Sequence, residues 1–273
     1  MKSKLNGKGV LGIIVARKGS VRVPRKSIKL LAGKPLVVWS FEEAKKSKTL
    51  DRIIVSTDDE EVKRLAEECG IEVPFFPRPS EISTDCDSGA VLAQAVKFME
   101  EERDHHPSSV VLLQPTSPFR KAEDIDAAVV MFQYGMFDTV VSVVKVKEHP
   151  AWTFRLRKDG SLESYLGFPM KHLSGLIAQD LPELFLPNGA LYILKKELAL
   201  EGRVYGENIG GYLMPPERSI DLETGDDFLI AEAILEKLKT EETPKSQRQL
   251  SADINSGNLY EMNGKNIKRL GAL

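Results

Sequence analysis

Apolar and small residues run unbroken from Val10 to Ala16, the pattern of a strand buried on both faces as in parallel sheets. After a polar loop, Leu36 to Lys46 carries helical spacing, and Arg52 to Ser56 reads as a second strand closed by Thr57-Asp58-Asp59. Asp59 to Cys69 is predicted as an amphipathic helix, with Val62, Leu65, Ala66 and Cys69 on one face and charges opposite. Gly70 stops it as the residue just past the helix end. Ser88 to Glu102 reads as a helix, and Val110 to Leu113 as a third strand running into Gln114-Pro115-Thr116-Ser117-Pro118. Ala122 to Gln133 is the next helix and Thr139 to Val146 the next strand. This βαβαβα order predicts an α/β protein whose mainly parallel sheet carries helices on both faces.

From Glu148 to Leu186 the period breaks down, with Pro, His and Gly scattered among short apolar pieces such as Trp152-Thr153-Phe154. The segment is predicted as an excursion from the sheet, a β-rich arm. Asn188 to Lys195 returns to strand, and Thr224 to Leu238 is an amphipathic helix. Beyond Thr240 the chain is polar with few apolar anchors. The organisation expected is a main body over residues 9–240 and a polar tail or appendage over 241–273.

Composition narrows the class. Lysine and arginine number 38 against 40 acids, a net charge of −2, and 42% of residues are hydrophobic, so disordered, collagen-like and membrane classes are excluded. No general cationic excess points to nucleic acid. The two cysteines, Cys69 and Cys86, are too few for a disulfide framework or a cysteine-based zinc site. Met1-Lys2-Ser3-Lys4 leads into Gly and Lys rather than an apolar core, so no secretory leader is visible, and no stretch approaches the roughly 20 apolar residues of a membrane span. A cytoplasmic protein with no membrane or nucleic-acid partner is expected.

In open α/β sheets, ligands bind outside the carboxyl ends of the strands. The loop after the first predicted strand is Arg17-Lys18-Gly19-Ser20-Val21-Arg22-Val23-Pro24-Arg25-Lys26, five cations and no acid. Such crowding repels unless an anion sits among the charges, and backbone N–H groups near Gly19-Ser20 could add donors. That placement favours a phosphate-rich ligand over a merely solvated basic loop. Neither G-x-G-x-x-G nor G-x-x-x-x-G-K-[ST] is present, which argues against dinucleotide enzymes and P-loop ATPases. The second feature is Ser219-Ile220-Asp221-Leu222-Glu223 ahead of a helix. Residues two apart in an extended segment point to one side, so Asp221 and Glu223 can converge on one magnesium ion, completed by substrate phosphates. Acids there could also cap the helix. Asp58 could bond a ribose or cap the helix after it.

Five stretches occur in order: Ala16-Arg17 with Ser20-Val21-Arg22-Val23-Pro24-Arg25-Lys26; Val55-Ser56-Thr57-Asp58; Leu112-Leu113-Gln114-Pro115-Thr116-Ser117-Pro118-Phe119-Arg120; Asn188-Gly189-Ala190-Leu191-Tyr192-Ile193; and Ser219-Ile220-Asp221-Leu222-Glu223. Together, over roughly residues 9–240, they resemble the acylneuraminate cytidylyltransferases, which make CMP-sialic acid and related CMP-nonulosonates. The resemblance implies a Rossmann-like three-layer α/β/α nucleotidyltransferase fold with a small dimerisation lobe over 148–186. It implies CTP and an acid sugar as substrates, magnesium as cofactor, and a homodimer whose lobe completes the neighbour's sugar pocket. By position, it makes Arg17, Arg22 and Lys26 triphosphate ligands, with Ser20 beside them. Gln114 and Ser88 become cytidine contacts, Asn188 a further substrate residue, and Asp221 and Glu223 the metal ligands. Arg17, Lys26 and Asp221 are the expected catalytic groups.

The sequence also departs from that pattern. Ser20-Val21-Arg22 and Lys26-Ser27 stand where Ser-Lys-Gly and Lys-Asn are usual, which moves one cation by a residue. Ala178 and Leu186 stand where the family has arginines for the sugar carboxylate, so Lys171, Arg155, Arg157 or a partner chain is left to meet it. His149 and His172 are expected to be structural, and Trp152 and Phe154 to belong to an interface. Three other readings stay open: a cytidylyltransferase for a Kdo-like acid, a nucleotide-sugar glycosyltransferase, and a nucleotide-binding module without turnover.

Overall fold

The computed structural model describes residues 9–82, 88–167, 177, 179, 181–242, 258–263 and 266–272. The first run of apolar residues forms β1 (Val10–Ala16), buried along almost its whole length. The basic loop leads to a small hairpin, β2 (Leu30–Leu31) and β3 (Lys34–Pro35), and then to α1 (Leu36–Lys46). β4 (Arg52–Thr57) follows, then α2 (Glu60–Glu68), α3 (Ser88–Arg103), β5 (Ser109–Leu113), α4 (Ala122–Tyr134) and β6 (Thr139–Lys145). The Asp59 carboxylate accepts the amide of Glu61 at 3.0 Å and begins α2 as its N-cap, a role suited to a short acid whose oxygen satisfies an orphan helix donor. Gly70 adopts φ 67°, the left-handed turn expected of it.

The 148–186 segment holds a two-stranded hairpin, β7 (Phe154–Leu156) and β8 (Leu162–Ser164). β9 (Phe185–Lys195) begins three residues before the predicted Asn188, and α5 (Lys196–Leu200) and β10 (Ile209–Leu213) follow it. The sheet order is β10-β6-β9-β5-β1-β4. β1 is parallel to β4 and β5, and β10 to β6, but β9 runs antiparallel to both β5 and β6. One face packs Val37 and Phe41 of α1, Val62 of α2 and Ile125 of α4 against the sheet. The other packs Leu92, Val96 and Met99 of α3 with Leu198 of α5. Three layers result, as burying both sheet faces demands.

α6 (Gly225–Glu242) replaces the predicted Thr224–Leu238, and the chain divides within its first turn, into residues 1–227 and 228–273. The second unit ends in an antiparallel hairpin of β11 (Asn258–Asn263) and β12 (Asn266–Ala272). A polar tail or appendage is what the sequence predicts there, because its mixed runs do not stand out as strands from polar surroundings.

Candidate active site

Where β1 ends, the basic loop turns back across the sheet rim. The amide of Lys18 donates to Asp58 Oδ1 at 2.8 Å, tying the loop to the end of β4. The amide of Ser20, one of the donors expected for an anion, is committed instead to the carbonyl of Lys18 at 3.1 Å. Arg25 adopts a left-handed φ of 51° and donates to Asp59 at 3.0 Å, away from the rim. Asp58 therefore holds the loop, while its neighbour Asp59 caps α2.

Three of the loop cations face a cavity of about 520 Å³, within the ordinary range for small-molecule sites. Arg17, Ser20, Arg22 and Lys26 line it from the loop, Ser88 from the start of α3, Gln114, Pro115 and Thr116 from the end of β5, and Glu223 from across the rim. Arg78 lines it too and had no counterpart in the motif reading. Its amide donates to the carbonyl of Thr57 at 2.9 Å, its guanidinium to that of Ser56 at 3.4 Å, and Asp58 lies 3.9 Å away. The available signal was a lone cation following the apolar run Val73-Pro74-Phe75-Phe76-Pro77. A buried guanidinium after such a run needs a partner.

The acid segment is drawn against the same loops. The amide of Leu222 donates to the carbonyl of Thr116 at 2.8 Å, and Lys26 Nζ donates to the carbonyl of Leu222 at 2.8 Å. Arg22 forms an ion pair with Glu223, whose carboxylate also lies 3.8 Å from Lys26 Nζ. Capping of α6 falls to Asp227, which accepts the amides of Glu223 and Thr224 at 2.9 and 2.6 Å, so Asp221 and Glu223 are not its caps. Burial pushes the Asp221 carboxyl above its usual range, helped by the nearby charge of Glu223 and opposed by the Thr116 hydroxyl and Lys26. Asp221 Oδ1 is buried without a hydrogen-bond partner among the described residues. A buried, unpartnered carboxylate oxygen beside a second acid is a donor set that fits a hard divalent cation. Among the described residues no group of three or more metal-ligating side chains exists, so substrate oxygens would have to complete such a site.

β9 passes between these groups. Gly189 has φ 75°, and a Cβ there would stand 3.1 Å from Gln114 Oε1 and 3.5 Å from Asp221 Oδ2, so only glycine lets the strand run this close. Asn188, expected as a substrate residue, is turned inward instead. Its Oδ1 accepts from Ser142 Oγ at 2.6 Å and the Ala190 amide at 3.1 Å, and its Nδ2 donates to Ser219 Oγ at 2.9 Å. With both ends of the amide satisfied, it braces β6, β9 and the acid segment. Behind Gln114, the fully buried Arg120 donates to the carbonyls of Gln114 and Ala190 at 3.1 and 2.8 Å and to Ser40 at 2.8 Å. Burial lowers its pKa to about 10, against the pull of Asp124 and Glu43.

Of the candidates for a sugar carboxylate, Arg157 pairs with Glu163 at 2.9 Å on the hairpin, and neither it nor Arg155 lines the cavity. Lys171, Ala178 and His172 lie outside the described residues. His149 caps a short turn by accepting the Ala151 amide at 3.1 Å and packs edge-on to Trp152, the structural role expected.

Cations and acids converging on one cavity at the rim of a mainly parallel three-layer sheet define a nucleotide-handling transferase. A family model described as Cytidylyltransferase matches residues 11–159. The chain is 32% identical over 235 residues to the CMP-N,N'-diacetyllegionaminic acid synthase of Legionella pneumophila, covering 83% of this chain and 96% of that protein. It is 34% identical over 220 residues to the N-acylneuraminate cytidylyltransferase of Streptococcus agalactiae, covering 80% of this chain and 51% of the relative, so it spans about half of that longer protein. Its fold is similar to that of a CMP:2-keto-3-deoxy-manno-octonic acid synthetase complexed with CTP, with a TM-score of 0.59 at 16% identity over 84% of this chain and 99% of the other. The chain belongs to the cytidylyltransferase family of nucleotidyltransferases. Among the described residues, no helix is long and apolar enough to cross a membrane.

Proposed function

We propose that the protein transfers CMP from CTP to the anomeric hydroxyl of a nonulosonic acid, a sialic- or legionaminic-type sugar, and releases pyrophosphate. The observation that carries this reading is the single cavity shared by Arg17, Arg22 and Lys26, by Gln114 and by Glu223, with Asp221 beside it. Relatives named for CMP-legionaminic acid and acylneuraminate synthesis support the nonulosonate over a Kdo-like acid, because the likeness to the octonic acid synthetase is one of fold.

In the reaction, the sugar hydroxyl attacks the α-phosphorus in line. A new O–P bond forms as the bond to the β-phosphate oxygen breaks, and the hydroxyl proton passes to solvent. Most of the acceleration in such a transfer comes from positioning and charge stabilisation. Arg17, Arg22 and Lys26 would hold the triphosphate and offset the charge that builds on pyrophosphate. Gln114, Ser88 and Arg78 would contact the nucleoside, and Asp221 and Glu223 would hold magnesium. Magnesium bound there would polarise phosphate oxygens and ease ionisation of the attacking hydroxyl.

The hairpin arm carries Phe154, Leu156, Leu162 and Tyr165 exposed, and Phe185 and Leu186 are exposed where the arm rejoins the sheet. A monomer rarely leaves so many large apolar side chains in water, which supports a homodimer whose partner arm would supply the missing carboxylate ligand. With CTP as donor, the enzyme would act in the cytoplasm. The test is pyrophosphate release across the four nucleoside triphosphates and a panel of nonulosonic acids and Kdo, with and without magnesium. Release confined to CTP with a nonulosonic acid is the expected result; release with Kdo alone, or none with any acceptor, overturns the reading.

A further inference from the structure

Asp124 puts a carboxylate in the packed interior. It is the third residue of α4 and wholly buried. Its Oδ2 accepts from the Lys121 amide at 2.9 Å and from Arg218 Nε at 3.0 Å, while its Oδ1 accepts from Arg218 Nη2 at 2.8 Å and from the Tyr212 hydroxyl at 3.1 Å. Capping α4 uses only the first of these bonds. The other three form a two-pronged arginine pair with a tyrosine closing the remaining lone pair. With Asp124 buried and the Arg218 side chain 36% exposed, desolvation takes back part of the attraction, and the best-attested use of such a pair is to fix one arrangement over others.

What this pair fixes is visible from its neighbours along the chain. Four residues before Asp124 stands Arg120, which grips the carbonyl of Gln114. Directly after Arg218 come Ser219, bonded to Asn188, and then Asp221 and Glu223. One carboxylate therefore has the Gln114 loop on one side and the acid segment on the other. The bonds of Leu222 to Thr116 and Lys26 hold the far end of that segment, and the Asp124–Arg218 pair holds its near end. Two anchors on a short stretch determine where the carboxylates between and beside them point.

We infer that Asp124 and Arg218 are positioning residues, and that their pair sets the distance between the nucleotide loop and the acid segment at which Asp221 and Glu223 can share a divalent ion with the bound triphosphate. This rests on the metal reading proposed above. Neither residue touches substrate; each acts through the segment it holds.

The test uses the full chain with Arg218→Lys, which keeps the charge and loses the fork, and Asp124→Asn. Manganese is titrated into the protein–CTP mixture and followed by its electron paramagnetic resonance signal, CTP binding is measured separately in EDTA, and thermal melts give the folded fraction. The expected result is manganese affinity weakened about tenfold or more in each variant, with CTP affinity in EDTA changed less than twofold. The double variant should be no worse than the weaker single one. Unchanged manganese affinity per folded molecule, with only a lower melting temperature, overturns the proposal, as do effects that simply add. Asp221→Asn separates the two readings. If it loses manganese while Arg218→Lys does not, the positioning role alone fails; if it keeps manganese, the metal reading fails and the proposal with it. Should Arg218→Lys not fold, Tyr212→Phe removes one bond and leaves the ion pair, and it should weaken manganese a few-fold in the same assay; no weakening overturns the proposal.

Discussion

Lys26 Nζ donates to the backbone carbonyl of Leu222 at 2.8 Å, across 196 residues of chain. The loop after the first strand and the segment before α6 thus meet in one bond from an almost buried ammonium. The same ammonium lies 3.8 Å from Glu223, so one side chain serves both backbone geometry and local charge.

Replacing Lys26 with methionine keeps the aliphatic stem and removes both services. A hydrogen bond from a charged donor is worth about 1.5–3 kcal/mol, so KM for CTP is expected to rise about tenfold or more, with a lower kcat as the acid segment loosens. Steady-state pyrophosphate release over a CTP series checks this. A KM within twofold of wild type contradicts it.

Glu223 stands among the cations proposed to hold the triphosphate, beside Arg22 and Lys26. Its partner Arg22 is 67% exposed, and a pair of that kind contributes about 0–1 kcal/mol, so an arriving triphosphate can displace it. Glu223→Gln should therefore bind CTP a few-fold more tightly than wild type in EDTA, and less tightly with magnesium present. Calorimetric titration under both conditions reads the reversal of sign; weaker binding in EDTA would refute the competition.

Gly89, in the first turn of α3, is pressed against the turn that follows α5. A Cβ at this position would lie 1.9 Å from the carbonyl oxygen of Gly202, a backbone atom that cannot swing aside. Gly89→Ala must push the start of α3 away from that turn, at about 1–3 kcal/mol for overpacking, and carry Ser88 away from the cavity. A melting temperature several degrees lower and a weakened CTP affinity in the folded fraction are expected, the second by fluorescence or calorimetric titration.

Glu43, buried on α1, accepts from the amide of Ala122 at 2.9 Å and from Lys46 at 2.7 Å. Burial pushes its carboxyl up, but the bonds from Lys46 and Ala122 and the charges of Lys46 and Lys121 outweigh it, leaving the pKa below the usual 4.5. A carboxylate lowered in the folded state adds stability above its unfolded value and loses it as pH falls through the lowered one. Glu43→Gln should cost about 1–2 kcal/mol at pH 7, and the gap in melting temperature from wild type should close below pH 4.5 as both forms become neutral. A gap that stays constant across that range would show that charge is not the cause.

The strands of the sheet core were legible because Val10–Ala16 and Val110–Leu113 are apolar on both faces, and that pattern has few other uses. The basic loop and the acid pair were legible because unusual charge density at a strand end has a physical cost. Direction was not: Asn188–Lys195 reads as a strand whichever way it runs, so the antiparallel course of β9 had no signature. β10 went unseen because Gly210 and Gly211 interrupt its apolar run; at Gly210 the space a side chain would need is taken by Phe137. Asn188 reads as a ligand in the sequence because a polar residue at a rim looks like one, and its bonds to Ser142, Ala190 and Ser219 exist only once the fold brings them together. Arg78 was missed because its meaning comes from Ser56, Thr57 and Asp58, which fold brings to it from another part of the chain.

Because β9 runs against both its neighbours, its first residues, rather than its last, arrive at the rim where β1 and β5 end. The chain can therefore leave the sheet after β6, travel through the arm, and re-enter at Phe185, where pairing with the end of β6 resumes. Grafting a foreign arm between those two strands should exchange the choice of acceptor while the donor half of the reaction is inherited intact.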